Sequence, residues 1–211
     1  MYMAGRGRLS RDCIVEAAMR LLDREGEKAF SMRKLAADLG VDPMALYHYH
    51  ANRGALIKDV LQALMETYDV PAPGPDWRED LRKLCNGLRL LARRHPGAFR
   101  VYELYEDWIP AEHRVQEAFH ATLQRAGFPP QKTVRAVRLL LTYTEAFAVD
   151  EITGWLEPFD PTDREAFARS LSDGDFPVMK SLIDEIGRSD TDADFDFGLD
   201  VILRGLEAEI S

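Results

Sequence analysis

Tyr47, His48, Tyr49 and His50 occupy four consecutive positions, and Asn52 and Arg53 follow almost at once. Groups of this kind can ligate a metal, build an aromatic core, or read the surface of another molecule. A metal is disfavoured by geometry, because His48 and His50 are two positions apart, and on a helix such a pair points about 200° apart. Leu46 and His50 have the i, i+4 spacing of a shared face and are expected to point inward. For Tyr47 a half-buried, structural place stands beside a surface role. The remaining surface groups suit a polyanion: the Tyr47 and Tyr49 hydroxyls can reach phosphates, and His48 can touch a phosphate or a base edge.

The elements that must position these groups are helices. Ile14, Ala17, Ala18, Leu21 and Leu22 form one apolar face; Ser10 stands as its N-cap, Asp12 lies in the first turn, and Gly26 ends the helix. A second helix, about two turns long, opens at Ser31, buries Met32, Leu35, Ala36 and Leu39, and stops at Gly40. Asp42 then caps a third, with Pro43 at the first position, where its missing N–H costs nothing. Two short helices joined by a tight turn make a helix-turn-helix, whose second member enters the DNA major groove. Ser31, Arg33 and Lys34 open the helix that crosses the backbone. Met44 and Ala45 offer apolar contact suited to a thymine methyl, leaving hydrogen-bonded reading to Arg33 and His48. Arg53 adds charge at the N-terminus of a fourth helix, expected over 51–68.

The stretch "SMRKLAADLGVDPMALYHYHANRGALIKDVL" resembles the DNA-binding domain of the tetracycline-repressor (TetR) family of bacterial regulators, and the likeness covers roughly residues 9 to 65. The resemblance implies a homodimer that sets two such domains on a palindromic operator, with a helical C-terminal domain that dimerises and holds an inducer. Met44, Ala45 and His48 stand where the tetracycline repressor itself has Pro, Thr and Trp, so its operator sequence does not carry over. Leu84 and Leu88 stand where it has Asn and Phe, so a magnesium-bound tetracycline is not the expected ligand.

The overall charge would by itself argue against a nucleic-acid partner. The chain has 211 residues, 46% of them hydrophobic, and a net charge of −9. That charge is unevenly placed: residues 1–60 hold ten Lys and Arg against eight Asp and Glu, a balance of +2, and the rest carries −11. Only the first segment can approach a polyanion without strong repulsion. Cys13 and Cys85 are too few and too far apart for a disulfide framework or a CxxC pair, and both are expected to be reduced and structural. No apolar run reaches the roughly 20 residues of a membrane span, and the start lacks the apolar core of a signal peptide. A cytoplasmic protein with no membrane partner follows.

The expected fold is all-α: an N-terminal helix-turn-helix domain with its connecting helix over 1–69, a linker over 70–76 marked by "VPAPGPD", and a larger ligand-binding and dimerisation domain over 77–211. Helices are expected from Trp77 to Arg94, then at about 97–107, 110–126 and 129–154. An apolar pocket is expected from Leu84, Leu88, Tyr102, Tyr105, Trp108, Phe119, Tyr143 and Phe147, which suits a largely hydrophobic inducer. The C-terminal segment "DADFDFGLDVILRGLEAEI" resembles the C-terminal helix of the same family. Its stripe of Leu199, Ile202, Leu203, Leu206 and Ile210 is assigned to the dimer interface, although docking on its own subunit would give the same stripe. Gly198 and Gly205, seven apart, mark where backbones could approach closely.

No cofactor or metal is expected, since no phosphate loop, catalytic triad or ligand-spaced His cluster occurs. Two other readings stay open. A helical enzyme would have to draw on Glu103, Glu106 and Asp107 with His113 or His120. An architectural DNA-binding protein would have no ligand at all.

Overall fold

The computed structural model describes residues 9–105, 107–171 and 175–210; Glu106, one of the acids considered for an enzyme, lies outside them. Among the described residues every regular element is helical. They are α1 (Arg11–Glu25), a 3₁₀ turn (Glu27–Ala29), α2 (Met32–Leu39), α3 (Pro43–Tyr47), α4 (Arg53–Glu66), α5 (Trp77–Arg94), α6 (Pro96–Glu103), α7 (Glu112–Arg125), α8 (Pro130–Ile152), α9 (Pro161–Ser170), α10 (Pro177–Ser181), α11 (Ile183–Ile186) and α12 (Thr191–Ile210). The all-α expectation holds.

Local chemistry explains where the early helices start and stop. Ser10 Oγ accepts from the Cys13 N–H, Ser31 Oγ from Lys34, Asp42 Oδ1 from Met44 and Asn52 Oδ1 from Ala55. Each satisfies a backbone donor that the helix cannot, worth about 1 kcal/mol. Gly40 closes α2 with φ 67°, a left-handed conformation that glycine adopts without steric cost. The third helix is shorter than its sequence suggests. It ends at Tyr47, and His48–His50 form a turn in which the Tyr49 and His50 N–H groups both donate to the Leu46 carbonyl.

α1, α2 and α4 bury Ile14, Leu21, Leu22, Leu35, Leu56 and Leu64 completely, each worth roughly 1.5–3 kcal/mol when fully buried. The same apolar core continues through α5, α6, α7, α8 and α12. α6 makes the junction, packing on both α1 and α4. At its start, a Cβ on Gly97 would lie 2.0 Å from the Leu22 carbonyl oxygen, so only glycine fits. Asp23 caps the same turn. Its Oδ1 accepts from the Gly97 and Ala98 N–H groups at 3.0 Å each, and its Oδ2 lies 2.9 Å from His95 Nδ1.

The Pro-rich stretch before Trp77 is not helical and is tied to α5 by the buried Asp80, whose carboxylate accepts from the Gly74 N–H. Cys85 is buried, and burial pushes its thiol up to about 12, so it is chemically inert at neutral pH. α5, α7 and α8 pack together, and α12 lies along α8. The helix expected over 97–107 stops at Glu103, leaving an irregular passage up to α7 in which Leu104 and Trp108 are exposed.

The C-terminal stripe is not free. Leu199, Leu203 and Leu206 are buried within their own subunit, Ile202 is half-buried, and only Ile210 is substantially exposed. Gly198 also serves the subunit's own core: a Cβ there would meet the Tyr143 hydroxyl, which donates to the Phe195 carbonyl. The outward stripe of α12 is instead Phe197, 71% exposed, Val201, 48% exposed, and Gly205, where an added Cβ would meet nothing. The pattern misled because α12 carries apolar residues on two faces, and spacing alone does not say which one its own chain covers.

Candidate functional site

The first candidate surface lies on α2, α3 and the turn after it. Met44, 65% exposed, and Tyr47, 42% exposed, project from α3, beside the exposed His48 and the half-buried Ala45. Large side chains are held out of the core here although Leu46, between them, is fully buried. Arg33 is exposed and makes no ion pair with any described residue. Ser31 spends its oxygen lone pair as the cap of α2 and keeps its O–H free to donate.

The other basic groups expected on this face are partly committed. Lys34 pairs with Glu25, and Arg53 donates to Glu27 Oε1 at 3.0 Å while its guanidinium sits 5.5 Å from the Phe30 ring centroid. Tyr49 departs from its expected role: its hydroxyl donates to the Leu9 carbonyl at 2.7 Å, and a hydroxyl that has given its proton there has none for a phosphate. Its acceptor is forty residues earlier, beyond any local signal. His50 is fully buried with Nε2 3.0 Å from Asp59 Oδ2, and Asp59 also accepts from Arg11. Burial lowers the His50 pKa against the opposing pull of Asp59. The two histidines thus diverge, His48 outward and His50 into the core, through a turn rather than the helix their spacing suggested, and no three metal-ligating side chains cluster among the described residues.

The second candidate is a cavity of about 420 Å³ between α6, α7, α8 and the passage that links α6 to α7. Tyr102 and Tyr105 line it as expected; the other six residues assigned to a pocket do not. Leu88 and Phe119 are core, Leu84 faces a separate hollow of about 290 Å³ beside Val70 and Pro71, and Trp108 is 72% exposed. Tyr143 and Phe147 pack with Phe195 of α12, at centroid distances of 5.4 and 5.2 Å, where they cement α8 to the last helix.

What the cavity has in place of those aromatics is charge. Glu103, Glu112 and Glu145 line it from α6, α7 and α8. Burial, reinforced by Glu103 and Glu112, raises the Glu145 carboxyl to about 8. Glu103 is raised by burial and then by Glu112, and the Tyr102 hydroxyl is raised by burial and by the same three carboxylates. In a sequence, glutamates at helical positions look like an ordinary solvated face; only the convergence of three helices distinguishes these. Of the acid–base groups an enzyme would draw on, Glu103, Asp107 and His120 reach the cavity wall, whereas His113 is exposed against Trp108.

Two contacts connect the cavity to the first surface through α4. Lys58 donates to Asp107 Oδ2 at 2.5 Å, and Gln62 Oε1 accepts from the Ala111 N–H at 3.0 Å. Asp107 lies on the cavity wall.

A capped two-helix reading unit on a larger helical body with an open cavity between three of its helices defines a class, and comparison with known families agrees with it. Residues 14–60 match the model described as "Bacterial regulatory proteins, tetR family", and residues 70–210 match "Tetracyclin repressor-like, C-terminal domain". The chain belongs to the tetracycline-repressor family. It is similar to the HTH-type transcriptional repressor DrrR1 of Streptomyces coeruleorubidus, with 29% identity over 96% of this chain and 79% of that protein. Among solved structures, a possible TetR family regulator from Streptomyces coelicolor A3(2) superposes with a TM-score of 0.82 at 26% identity, covering 94% of this chain and 99% of that one. The TetR family protein ActR of Streptomyces coelicolor, solved in complex with actinorhodin, has a TM-score of 0.79 at 28% identity over 97% and 100% of the two chains. The family is one of regulators, which supports a non-enzymatic reading of the cavity. No helix among the described residues is long and apolar enough to cross a membrane.

Proposed function

We propose that the protein is a cytoplasmic transcriptional repressor that binds a palindromic operator as a homodimer and leaves it when a small molecule enters the cavity between α6, α7 and α8. One observation carries the reading: Met44, Tyr47, His48 and Arg33 are exposed together on a helix-turn-helix whose own core is complete without them. Arg33 and His48 supply hydrogen bonds to phosphates or base edges, Met44 and Ala45 apolar contact, Tyr47 and Ser31 hydroxyl donors, and Lys34 and Arg53 charge at the rim.

The dimer forms through the outer stripe of α12, Phe197, Val201 and Gly205, which is the apolar face its own subunit leaves uncovered. Release follows from linkage. A ligand that prefers one arrangement of the passage before α7 shifts Asp107 and Ala111, and through Lys58 and Gln62 the helix that carries the reading unit. The ligand is aromatic in part, since Tyr102 and Tyr105 offer it ring surface, and the solved complex of ActR with actinorhodin supports a small-molecule ligand.

An operator selected from random DNA tests the reading. Arg33→Ala and Tyr47→Ala should each weaken binding by about 1–3 kcal/mol, as lost specific contacts do. Val201→Glu should sediment as a folded monomer with little operator affinity. Unchanged affinity in the Arg33/Tyr47 double variant, or a surviving Val201→Glu dimer, overturns the assignment of the corresponding surface.

A further inference from the structure

The cavity has a polarity that a purely apolar ligand would not satisfy. Glu103 and Glu145 form no ion pair or hydrogen bond with any described residue, although they are drawn into a wall that is largely out of water. Glu112 accepts from Gln116, a neutral donor. Elsewhere carboxylates held inside the protein have cations: Asp80 has Arg125, and Glu151 has Arg89 and Arg93. The positive groups near the cavity do not cancel it. Lys58 is spent on Asp107, and Arg138, which lines the cavity from α8, comes within ion-pair distance of none of the three glutamates, so the wall keeps an excess of negative groups. His120 gives Nδ1 to the Gln116 carbonyl at 2.7 Å, so its remaining ring nitrogen is an acceptor when the ring is neutral. Partly desolvated carboxylates that repel one another are costly unless a positive charge joins them.

We propose that this cavity, taken above as the ligand site, receives a planar aromatic cation, with the ring system against Tyr102 and Tyr105 and the positive charge between Glu103 and Glu145. The proposal rests on the ligand reading of the cavity and specifies its chemistry. The cation supplies the missing counter-charge, and the tyrosine rings add a cation–π surface. It also makes binding release a proton. Glu145 sits near 8 without ligand, and a neighbouring positive charge brings it down, so affinity rises with pH across that value for as long as the ligand keeps its charge. Glu103, Glu112 and Tyr102 face the same space, as do Arg138 and His120, which pair with none of the glutamates and leave the negative groups in excess.

The test uses two xanthene dyes with one ring system and opposite charge, rhodamine 6G and fluorescein, titrated onto the full-length protein at pH 8 by fluorescence anisotropy. Rhodamine 6G should bind at least tenfold more tightly than fluorescein. Glu103→Gln and Glu145→Gln should each weaken rhodamine 6G about five- to tenfold, and the double variant should lose the preference between the dyes. Rhodamine 6G affinity should rise from pH 7 to pH 9 in the unaltered protein and stay flat in Glu145→Gln. Thermal melts show whether the variants remain folded. Equal or tighter binding of fluorescein, binding of neither dye, or a cation preference that survives in the folded double variant overturns the proposal. Displacement of labelled operator is measured separately: rhodamine 6G that binds through these glutamates yet leaves the operator complex intact supports the cation site and defeats the release reading.

Discussion

Glu145 and Glu151 lie on the same helix, less than two turns apart, and meet opposite electrostatic fates. Burial pushes both towards the neutral acid. At Glu151 this is outweighed by hydrogen bonds from Arg89 and Arg93, and its carboxyl is held at about 2. At Glu145 nothing opposes burial, two further glutamates add to it, and the carboxyl rises to about 8. The Arg89 guanidinium donates to both Glu151 oxygens at 2.9 and 2.7 Å and to the Thr191 carbonyl at 2.7 Å, and it lies 4.7 Å from the Phe195 ring centroid. One region is a finished staple that fastens α5 and α8 to the start of α12. The other is an unfinished one. The difference separates charge used to hold the subunit together from charge left without a counter-ion, on which the proposed ligand site rests.

Breaking the finished staple should have the largest effect. Arg89→Met leaves Glu151 buried beside only one guanidinium and removes the cation between Phe147 and Phe195; a loss of about 3–5 kcal/mol in urea unfolding is expected, as when one partner of a buried pair is removed. A loss under about 1 kcal/mol would mean that Arg93 and water replace Arg89.

The comparison sharpens with pH, because the two glutamates carry linkage of opposite sign. Glu151 has a folded pKa below its unfolded value, so its contribution is present above about 4.5 and is lost as pH falls towards 2. Glu151→Gln should therefore be less stable at neutral pH but lose less between pH 4.5 and 2.5. Glu145 has a folded pKa above its unfolded value, so stability falls as pH rises from about 4.5 to 8. Glu145→Gln should melt higher than the unaltered protein by a few degrees at pH 8, with little gain at pH 5, given roughly 2–4 °C per kcal/mol for a chain of this size. A gain independent of pH would place the effect in packing rather than charge. The smallest effect belongs to the exposed Lys58–Asp107 pair. Lys58→Ala should leave the urea-unfolding midpoint nearly unchanged while reducing the ligand's effect on operator binding, a split that separates a connection from a prop.

The two regions also differ in how far their residues announced them. The helix-turn-helix is legible because its signals are local: Ser31, Gly40, Asp42 and Pro43 lie within a few positions of the groups they cap or turn, and each acts through the backbone. The inward turn of Leu46 and His50 follows from spacing alone. Tyr49 could not be read this way, since its acceptor belongs to the segment before α1. The cavity could not either. Its wall is assembled from residues 102 to 145, and whether an aromatic such as Phe119 or Tyr105 meets core or cavity depends on which helix crosses over it. Helices α9 to α11 bury no residue completely, and Val178, Leu182 and Ile186 stay exposed although their spacing is helical, so periodicity alone does not say what they pack on.

Gly97 gives the molecule its joint. Where α6 meets α1, backbone rests on backbone, and the Asp23 carboxylate spends both oxygens on the neighbouring turn. Such a joint has no rotamers through which to absorb a displacement, unlike the flexible Lys58 side chain on the far side of the cavity. A displacement at Tyr102 and Glu103 therefore has a backbone route to α1 through this joint, beside the side-chain route to α4 through Lys58 and Gln62. One wall of the cavity is thus fixed by backbone against backbone and another by a single side-chain ion pair, an asymmetry that would give the proposed ligand's push a direction.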